Sequence, residues 1–214
     1  MSKLLCRPHE ADQTGLTMSI SPESAGWNYV GFEVYHLRPG QTLEKPTGLM
    51  EVCLVLLSGK ADVSSSQESW NGLGERMGIF ENKSPYAVYL PNQDQFTVKA
   101  LTGLELAVCQ APGSGSHPAR LIGPESMGRE TRGRTTNTRH VSNILPETEA
   151  ADSLLVVEVI TPGAAGLVIP RTSMIRINSL KNRLWRRFIT IVSIQVRGLP
   201  FSEFIPMTGN WTKP

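Results

Sequence analysis

The sequence of 214 residues is poor in the side chains that build metal and redox sites. It contains four histidines and three cysteines, and none of them stand at a spacing typical of metal ligands or of a Cys-x-x-Cys motif. An odd number of cysteines without such spacing also argues against a disulfide framework, which predicts reduced thiols in a cytoplasmic protein. The sequence therefore predicts no metal ligands within this chain. The histidines are His9, His36, His117 and His140, and the cysteines are Cys6, Cys53 and Cys109.

Long apolar runs are also missing. No stretch approaches the ~20 apolar residues that a membrane-spanning helix needs, and the first residues contain no apolar stretch of signal-peptide length. These absences predict a soluble protein without a membrane partner. No long amphipathic helical pattern is present either, which favours a fold built from short strands.

The last part of the chain lacks acidic residues. Residues 1–163 carry 13 Lys and Arg against 18 Asp and Glu, whereas residues 164–214 carry 8 against one, Glu203. The net charge thus changes from −5 to +7 at one point of the chain, so the overall charge of +2 describes neither part. A basic cluster in the tail would by itself indicate a nucleic-acid or anionic-membrane surface. That cluster consists of Lys181, Arg183, Arg186 and Arg187 around Trp185.

Short apolar and β-branched runs, separated by turn residues, fill the first 163 residues. They predict an all-β sandwich or barrel of the jelly-roll kind. Glu51 to Leu57 is almost continuously apolar, as expected of a strand covered on both faces, and the turn at Ser58 to Lys60 predicts a hairpin with Ala61 to Val63. Residues 64–78 and 111–136 are predicted to be loops or linkers. The other predicted strands are Leu16 to Ile20, Tyr29 to Leu37, Tyr86 to Leu90, Phe96 to Ala100, Leu104 to Gln110 and Ser153 to Thr161.

Several of these stretches together resemble one protein family. The motifs are SPESAGWNYVGFEVYHLRPG, EVCLVLLSGKADV, PYAVYLP, NTRHVSNILPE and ADSLLVVEVITPG. They resemble the 5-deoxyglucuronate isomerases of myo-inositol catabolism, the IolB family of bicupins, and the similarity covers essentially all of residues 1–163. The resemblance implies two tandem jelly-roll halves, with a divalent metal, zinc or manganese, in one of them. It also implies conversion of 5-deoxy-D-glucuronate to 2-deoxy-5-keto-D-gluconate, and it leaves homo-oligomerisation open.

The first half departs from a metal-binding cupin. A cupin of that type has a His-x-His pair before a Glu and a Gly, but this chain has no histidine from Leu43 to Met50 and then presents Glu51 and Gly59. The resemblance therefore implies that residues 1–136 form a cupin-like half without metal ligands and serve as scaffold. Residues 137–163 are expected to begin the second half, which is truncated.

The family's metal motif should follow Pro162 and Gly163, and it is absent from the sequence as written. Reading each codon from the last base of one residue and the first two bases of the next restores a family-like sequence with a His-Lys-His-Asp motif. Met174 followed by Ile175 then encodes GAT, an aspartate, without any freedom of codon choice. We interpret residues 164–214 as an out-of-frame tail without a native fold, and the basic cluster as a consequence of the shifted frame, so no nucleic-acid partner is predicted.

Two residues remain as substrate-binding candidates for a sugar acid, while the catalytic residues are not identified. Arg139 could pair with a uronate carboxylate because a guanidinium matches it bidentately, or it could be a surface or loop-pinning arginine. Glu158 interrupts an apolar strand, so it faces a polar pocket or is buried with a partner. The chain is thus predicted to be an isomerase family member that is inactive in this form. The alternative is a metal-free cupin that acts as a binding or interaction module.

Overall fold

The computed structural model describes residues 6, 8–26, 28–81, 83–134, 138–162 and 187–191, and this part of the chain is almost entirely β-structure. One short helix, α1 (Pro22–Ala25), is capped at its start by Ser21. The strands are β1 (Leu16–Ile20), β2 (Gly31–Leu37), β3 (Thr42–Pro46), β4 (Met50–Ser58), β5 (Ala61–Ser64), β6 (Ser69–Leu73), β7 (Tyr86–Leu90), β8 (Gln95–Ala100), β9 (Leu104–Pro112), β10 (Arg120–Ile122), β11 (Gly128–Arg132), β12 (Arg139–Leu145), β13 (Val156–Pro162) and β14 (Arg187–Ile191).

These strands form three antiparallel sheets. The central sheet has the order β1-β2-β9-β4-β7-β10, and the second sheet has the order β3-β8-β5-β6. The two enclose an apolar interior, here called the first-barrel core, to which Leu43, Leu54, Leu56, Phe96, Val98 and Leu106 contribute. The third sheet, β11-β12-β13-β14, covers the opposite face of the central sheet. The apolar layer there, here called the junction core, includes Phe32, Val55, Leu57, Ile144, Leu154 and Val156.

Strand β4 explains why both cores meet on one sheet. Its side chains alternate between the two layers: Val52, Leu54 and Leu56 belong to the first-barrel core, whereas Cys53, Val55 and Leu57 belong to the junction core. Successive side chains of a strand point to opposite faces, so an almost continuous apolar run is what a strand with two covered faces requires. The prediction made from Glu51 to Leu57 is confirmed.

The predicted hairpin at Ser58 to Lys60 is wrong. Strand β4 pairs with β7 and β9 in the central sheet, whereas β5 pairs with β6 and β8 in the second sheet. The turn thus carries the chain from one sheet to the other. Gly59 lies in this turn with φ +97°, and a Cβ there would lie 2.2 Å from the carbonyl oxygen of Gly103, so only glycine fits without displacement of the neighbouring backbone.

The sequence predicts no strand at six positions, those of β3, β6, β10, β11, β12 and β14. Of these, β12 lies inside the third sheet and β14 belongs to the tail, whereas β3, β6, β10 and β11 are each at an edge of their sheet in the described part of the chain. Edge strands are short and often polar because one side meets water and because charged edges resist aggregation. Their sequences therefore lack the apolar alternation on which a strand prediction depends.

Part of the tail extends the third sheet. Strand β14 pairs antiparallel with β13, with Ile189 opposite Ile160. The rest of the tail, including Lys181, Arg183 and Arg186, lies outside the described residues, so the out-of-frame tail without a native fold stays a prediction. Among the described residues, no helix has the length and apolar character required to cross a membrane.

Candidate functional site at the junction of the two halves

Glu158 forms a buried ion pair with Arg76. The Arg76 Nη2–Glu158 Oε1 distance is 2.6 Å and the Nη1–Oε2 distance is 2.9 Å, so the contact is bidentate. Glu158 is 0% exposed and Arg76 is 2% exposed. Of the two alternatives that the sequence left open for Glu158, the structure shows a buried carboxylate with a partner. Because Arg76 engages both carboxylate oxygens, a direct contact of Glu158 with substrate stays a prediction.

Arg76 is also fixed by the first half of the chain. Its Nε donates to the carbonyl oxygen of Leu57 at 2.7 Å, and its Nη1 donates to that of Lys83 at 3.0 Å. A buried charge is tolerated when it is paired and hydrogen-bonded, and these bonds meet both conditions. Arg76 belongs to the segment GLGERMG, which the sequence predicted to be an ordinary loop. Nothing in that polar, glycine-rich pattern distinguishes a buried arginine from an exposed one.

A second buried carboxylate, that of Glu51, holds the segment that leads into β13. It accepts hydrogen bonds from the backbone N–H groups of Asp152 at 2.9 Å and Ser153 at 2.6 Å, and a third from that of Leu154. The Tyr89 hydroxyl donates to it at 2.7 Å. Glu51 is 0% exposed and shares its strand face with Cys53, so its side chain points to the junction and away from the first-barrel core.

Tyr89 and Arg120 complete the surroundings of Glu51. The Arg120 guanidinium lies 4.6 Å from the centroid of the Tyr89 ring, in a cation–π arrangement, and donates to the carbonyl oxygen of Ala150. Burial raises the pKa of Tyr89, and its hydrogen bond to Glu51 raises that pKa further. Burial likewise raises the pKa of Cys53 to about 12, so this thiol stays protonated and unreactive at neutral pH. All three cysteines are free.

Asp152 ties the same segment to the loop after β9. Its Oδ2 accepts from the backbone N–H groups of Ser114 at 2.6 Å and Gly115 at 2.9 Å, and its Oδ1 lies 3.9 Å from His117 Nε2. Partial burial acts to raise the pKa of Asp152, but the hydrogen bonds from Ser114, Ser116 and Gly115 together outweigh it, and the pKa is lowered. The ionised carboxylate is therefore the form that stabilises this contact.

We expect the stabilising contribution of Asp152 to be lost as the solution becomes acidic. A folded-state pKa below the unfolded value of about 3.9 contributes stability that is present above that pH and is lost as the pH falls through the folded-state pKa. Asp152→Asn removes the titration, so the stability difference between the wild type and this variant should be largest at pH 6–7 and should shrink towards pH 3. Urea unfolding across this range measures it. An unchanged difference at all pH values would contradict the assignment.

The other candidate, Arg139, lies on the opposite face of the third sheet from Glu158. Glu158 is in register with Ser142 of β12, and Arg139 stands three residues before Ser142, so alternation places their side chains on different faces. The structure therefore does not bring Arg139 and Glu158 together. Arg139 is partly buried and shares its face with Val141, Asn143, Val157 and Val159. We call this the outer face of the third sheet.

Neither the first-barrel core nor the junction supplies a group of metal ligands. Among the described residues, no three His, Cys, Asp or Glu side chains are grouped so that they could hold a metal ion. The described residues thus do not fit the divalent metal that the family resemblance implies. His9, His36, His117 and His140 lie on different elements or loops of the described structure.

Comparison with known protein families gives a consistent result. The family model described as KduI/IolB matches residues 4–166. The chain is 54% identical over 162 residues to a protein of Geobacillus thermodenitrificans named 5-deoxy-glucuronate isomerase, covering 76% of this chain and 59% of that relative. It is 34% identical over 165 residues to the protein of the same name from Bacillus subtilis strain 168, covering 75% and 61%. The chain thus spans about three fifths of the length of these relatives.

Solved structures support the fold. An IolB-like protein from Salmonella typhimurium LT2 superimposes with a TM-score of 0.71 at 32% identity, covering 90% of this chain and 88% of that one. A mutant of the Bacillus subtilis oxalate decarboxylase has a TM-score of 0.50 at 11% identity, covering 88% and 70%, which is a likeness of fold alone. The prediction of an all-β cupin fold of the jelly-roll kind is confirmed. With a family model matched over most of its length and a related structure of the same fold, this chain belongs to the KduI/IolB family.

Proposed function

We propose that this chain derives from a 5-deoxy-glucuronate isomerase, an intramolecular oxidoreductase that converts 5-deoxy-D-glucuronate to 2-deoxy-5-keto-D-gluconate in inositol catabolism in the cytoplasm. The observation that carries the proposal is the 54% identity over 162 residues to a protein of that name. The KduI/IolB family model matches residues 4–166, a range that includes the scaffold, the junction and β13. The substrate is accordingly a small sugar acid.

An aldose-to-ketose conversion moves a proton between neighbouring carbons, which requires an acid or base within hydrogen-bond reach of the substrate. The resemblance implies that the family uses zinc or manganese. Because the described residues hold no suitable ligand set, we assign no step of the reaction to a metal in this chain. We place the missing His-x-His ligands in the reading frame that is lost after Gly163.

The contacts at the junction support a positioning role for the first half. Arg76 and Glu51 act on Glu158 and on residues 152–154, which belong to β13 or lead directly into it. The first half thereby fixes the strand after which the family's metal motif is expected. In this proposal Glu158 positions β13 through its pairing with Arg76, while Arg139, on the outer face, is the candidate for the substrate carboxylate.

The packing of the first barrel weighs against the alternative of a metal-free binding module. Large apolar side chains fill the space between its two sheets, and Leu54, Leu90, Val98 and Leu106 are each 0% exposed. A pocket for a small polar ligand needs space and a few convergent polar groups. The filled interior is more consistent with a scaffold for the second half.

We expect the 214-residue chain to show no isomerisation of 5-deoxy-glucuronate above background with added zinc or manganese. The reason is that its four histidines include no His-x-His pair. The measurement is formation of the keto product with each metal and with chelator. The matched sample is the protein expressed after restoration of the frame at Gly163 with its natural downstream sequence, which should be active and lose activity with chelator. Turnover by the 214-residue chain would contradict its inactivity, and turnover with chelator would also contradict the metal assignment.

A further inference from the structure

Two arginines face each other on the outer face of the third sheet. Arg132 of β11 is the register partner of Arg139 of β12. Directly opposed residues on antiparallel strands have Cβ atoms about 4.5–5.5 Å apart, close enough for both side chains to contact one ligand. Arg139 is partly buried at the start of its strand, whereas the side chain of Arg132 is 64% exposed. The pair thus has one anchored and one accessible member.

Like charges in directly opposed positions destabilise a strand pair unless a negative charge lies close by. One such charge is present. Glu130 Oε1 lies 2.7 Å from Arg132 Nη2, and Asn143 Nδ2 donates to the same oxygen at 3.3 Å. Arg132 lowers the pKa of Glu130 through this hydrogen bond, and Asn143 adds to the effect, so the carboxylate is ionised at neutral pH. The Glu130 carboxylate therefore offsets part of the positive charge of the two opposed guanidinium groups.

The same face offers apolar contacts beside the charged pair. Val141 follows Arg139 by two residues, is in register with Val159, and is buried without belonging to either apolar core. Val157 lies opposite Asn143 on that face. The outer face is thus apolar along its centre and cationic at one end. This arrangement suits a ligand with a carbon skeleton and one terminal anionic group.

We propose that Arg132 and Arg139 together bind the carboxylate of the sugar-acid substrate, with Glu130 and Asn143 holding the Arg132 side chain in place. A carboxylate fits because two planar guanidinium groups on neighbouring strands can each donate to its oxygens, and such charge-assisted bonds are among the strongest in proteins. The choice of a sugar acid rests on the proposed function, whereas the choice of an anion follows from the opposed arginines. The sequence pointed to Arg139 alone, since Arg132 lies in a segment that was predicted to be a linker.

The test is a titration of the 214-residue chain with D-glucuronate, D-glucose and inorganic phosphate, followed by calorimetry or by nuclear magnetic resonance. D-glucuronate should bind, and D-glucose should bind at least tenfold more weakly because it lacks the carboxylate. Arg132→Gln and Arg139→Gln should each weaken glucuronate binding by about tenfold to a hundredfold. Arg132→Lys and Arg139→Lys keep the charge but lose the bidentate geometry, so they should bind with intermediate affinity.

Arg129→Gln is the matched control, because Arg129 is on the same strand and alternation places it on the other face. It should leave glucuronate binding unchanged. The proposal is overturned if glucose binds as tightly as glucuronate, if phosphate binds more tightly, or if Arg132→Gln and Arg139→Gln bind like the wild type with unchanged melting curves. If neither Gln variant folds, the Lys variants provide the test. The proposal is then overturned if both Lys variants bind glucuronate as tightly as the wild type does. If glucuronate binding depends on the two arginines but the frame-restored protein shows no isomerase activity, this inference stands and the proposed function is wrong.

Discussion

Arg76→Met is expected to lower the free energy of unfolding by about 3–5 kcal/mol, because it leaves the Glu158 carboxylate buried without its bidentate partner. The loss should be of this size because Glu158 is 0% exposed and has no access to water that could replace the guanidinium. Urea unfolding of the 214-residue chain, followed by circular dichroism at neutral pH, measures the change. Glu158→Leu should cause a comparable loss, since it leaves the buried guanidinium of Arg76 without its counter-ion.

The double variant Arg76→Met/Glu158→Leu separates a buried charge from lost packing. If the cost of each single variant comes from an uncompensated charge, the double variant should be more stable than either single one. Arg132→Gln serves as the control for an exposed pair, since Arg132 and Glu130 are 64% and 38% exposed and such pairs contribute about 0–1 kcal/mol. A double variant as unstable as the sum of the two single ones would show that the ion pair is not the origin of the effect.

Glu51→Ala is expected to cost about 3 kcal/mol or more, because one carboxylate accepts four hydrogen bonds in a buried site. The backbone N–H groups of residues 152–154 and the Tyr89 hydroxyl would all lose their acceptor. Each buried donor left without a partner costs about 1–3 kcal/mol, and some local relaxation reduces the sum. The measurement is again urea unfolding, combined with hydrogen exchange at the amides of 152–154, which should lose protection.

Two further variants locate the effect of Glu51. Glu51→Gln keeps one acceptor oxygen and nearly the same volume, so its loss should be smaller than that of Glu51→Ala. Tyr89→Phe removes only the hydroxyl donor and should cost about 1 kcal/mol. If Glu51→Ala leaves amide exchange at 152–154 unchanged, the carboxylate does not hold this segment in solution.

Together, Arg76 and Glu51 attach β13 and the segment before it to the central sheet and its loops. Both residues lie far from β13 in the sequence, and both contact β13 or the residues that enter it. Leu154 and Val156 add apolar contacts in the junction core between these two polar anchors. The set of side chains Leu154, Val156 and Ile160 therefore faces the central sheet, and Leu155, Val157 and Val159 face the other way.

Much of the scaffold could be predicted because the apolar pattern of each main strand is visible in its own residues. Strands β1 and β7 agree with the predicted bounds, and β4 was predicted to be covered on both faces from its continuous apolar run. Such predictions succeed because the alternating or continuous pattern of apolar residues that marks a buried strand is contained in the strand's own sequence. The family was likewise visible in stretches of ten or more residues that lie in this scaffold.

The pairing of strands and the polar contacts of the junction could not be predicted in this way. The turn at Gly59 has the composition of a hairpin, yet its strands belong to different sheets, because the choice of partner depends on competition among all strands of the barrel. Sequence reasoning identified Glu158 as unusual, but its partner lies 82 residues away in a polar loop.

The sequence by itself thus determined the all-β class, the central strand β4 that is covered on both faces, and the family, since each follows from local patterns of apolar residues or from motifs. Only the tertiary structure decided that Glu158 pairs with Arg76, that Glu51 holds residues 152–154, and that Arg139 stands opposite Arg132. These contacts join residues that are distant in the chain, or they depend on strand register. The residues that flank a polar side chain in the sequence do not specify its partner, because folding brings that partner from another part of the chain.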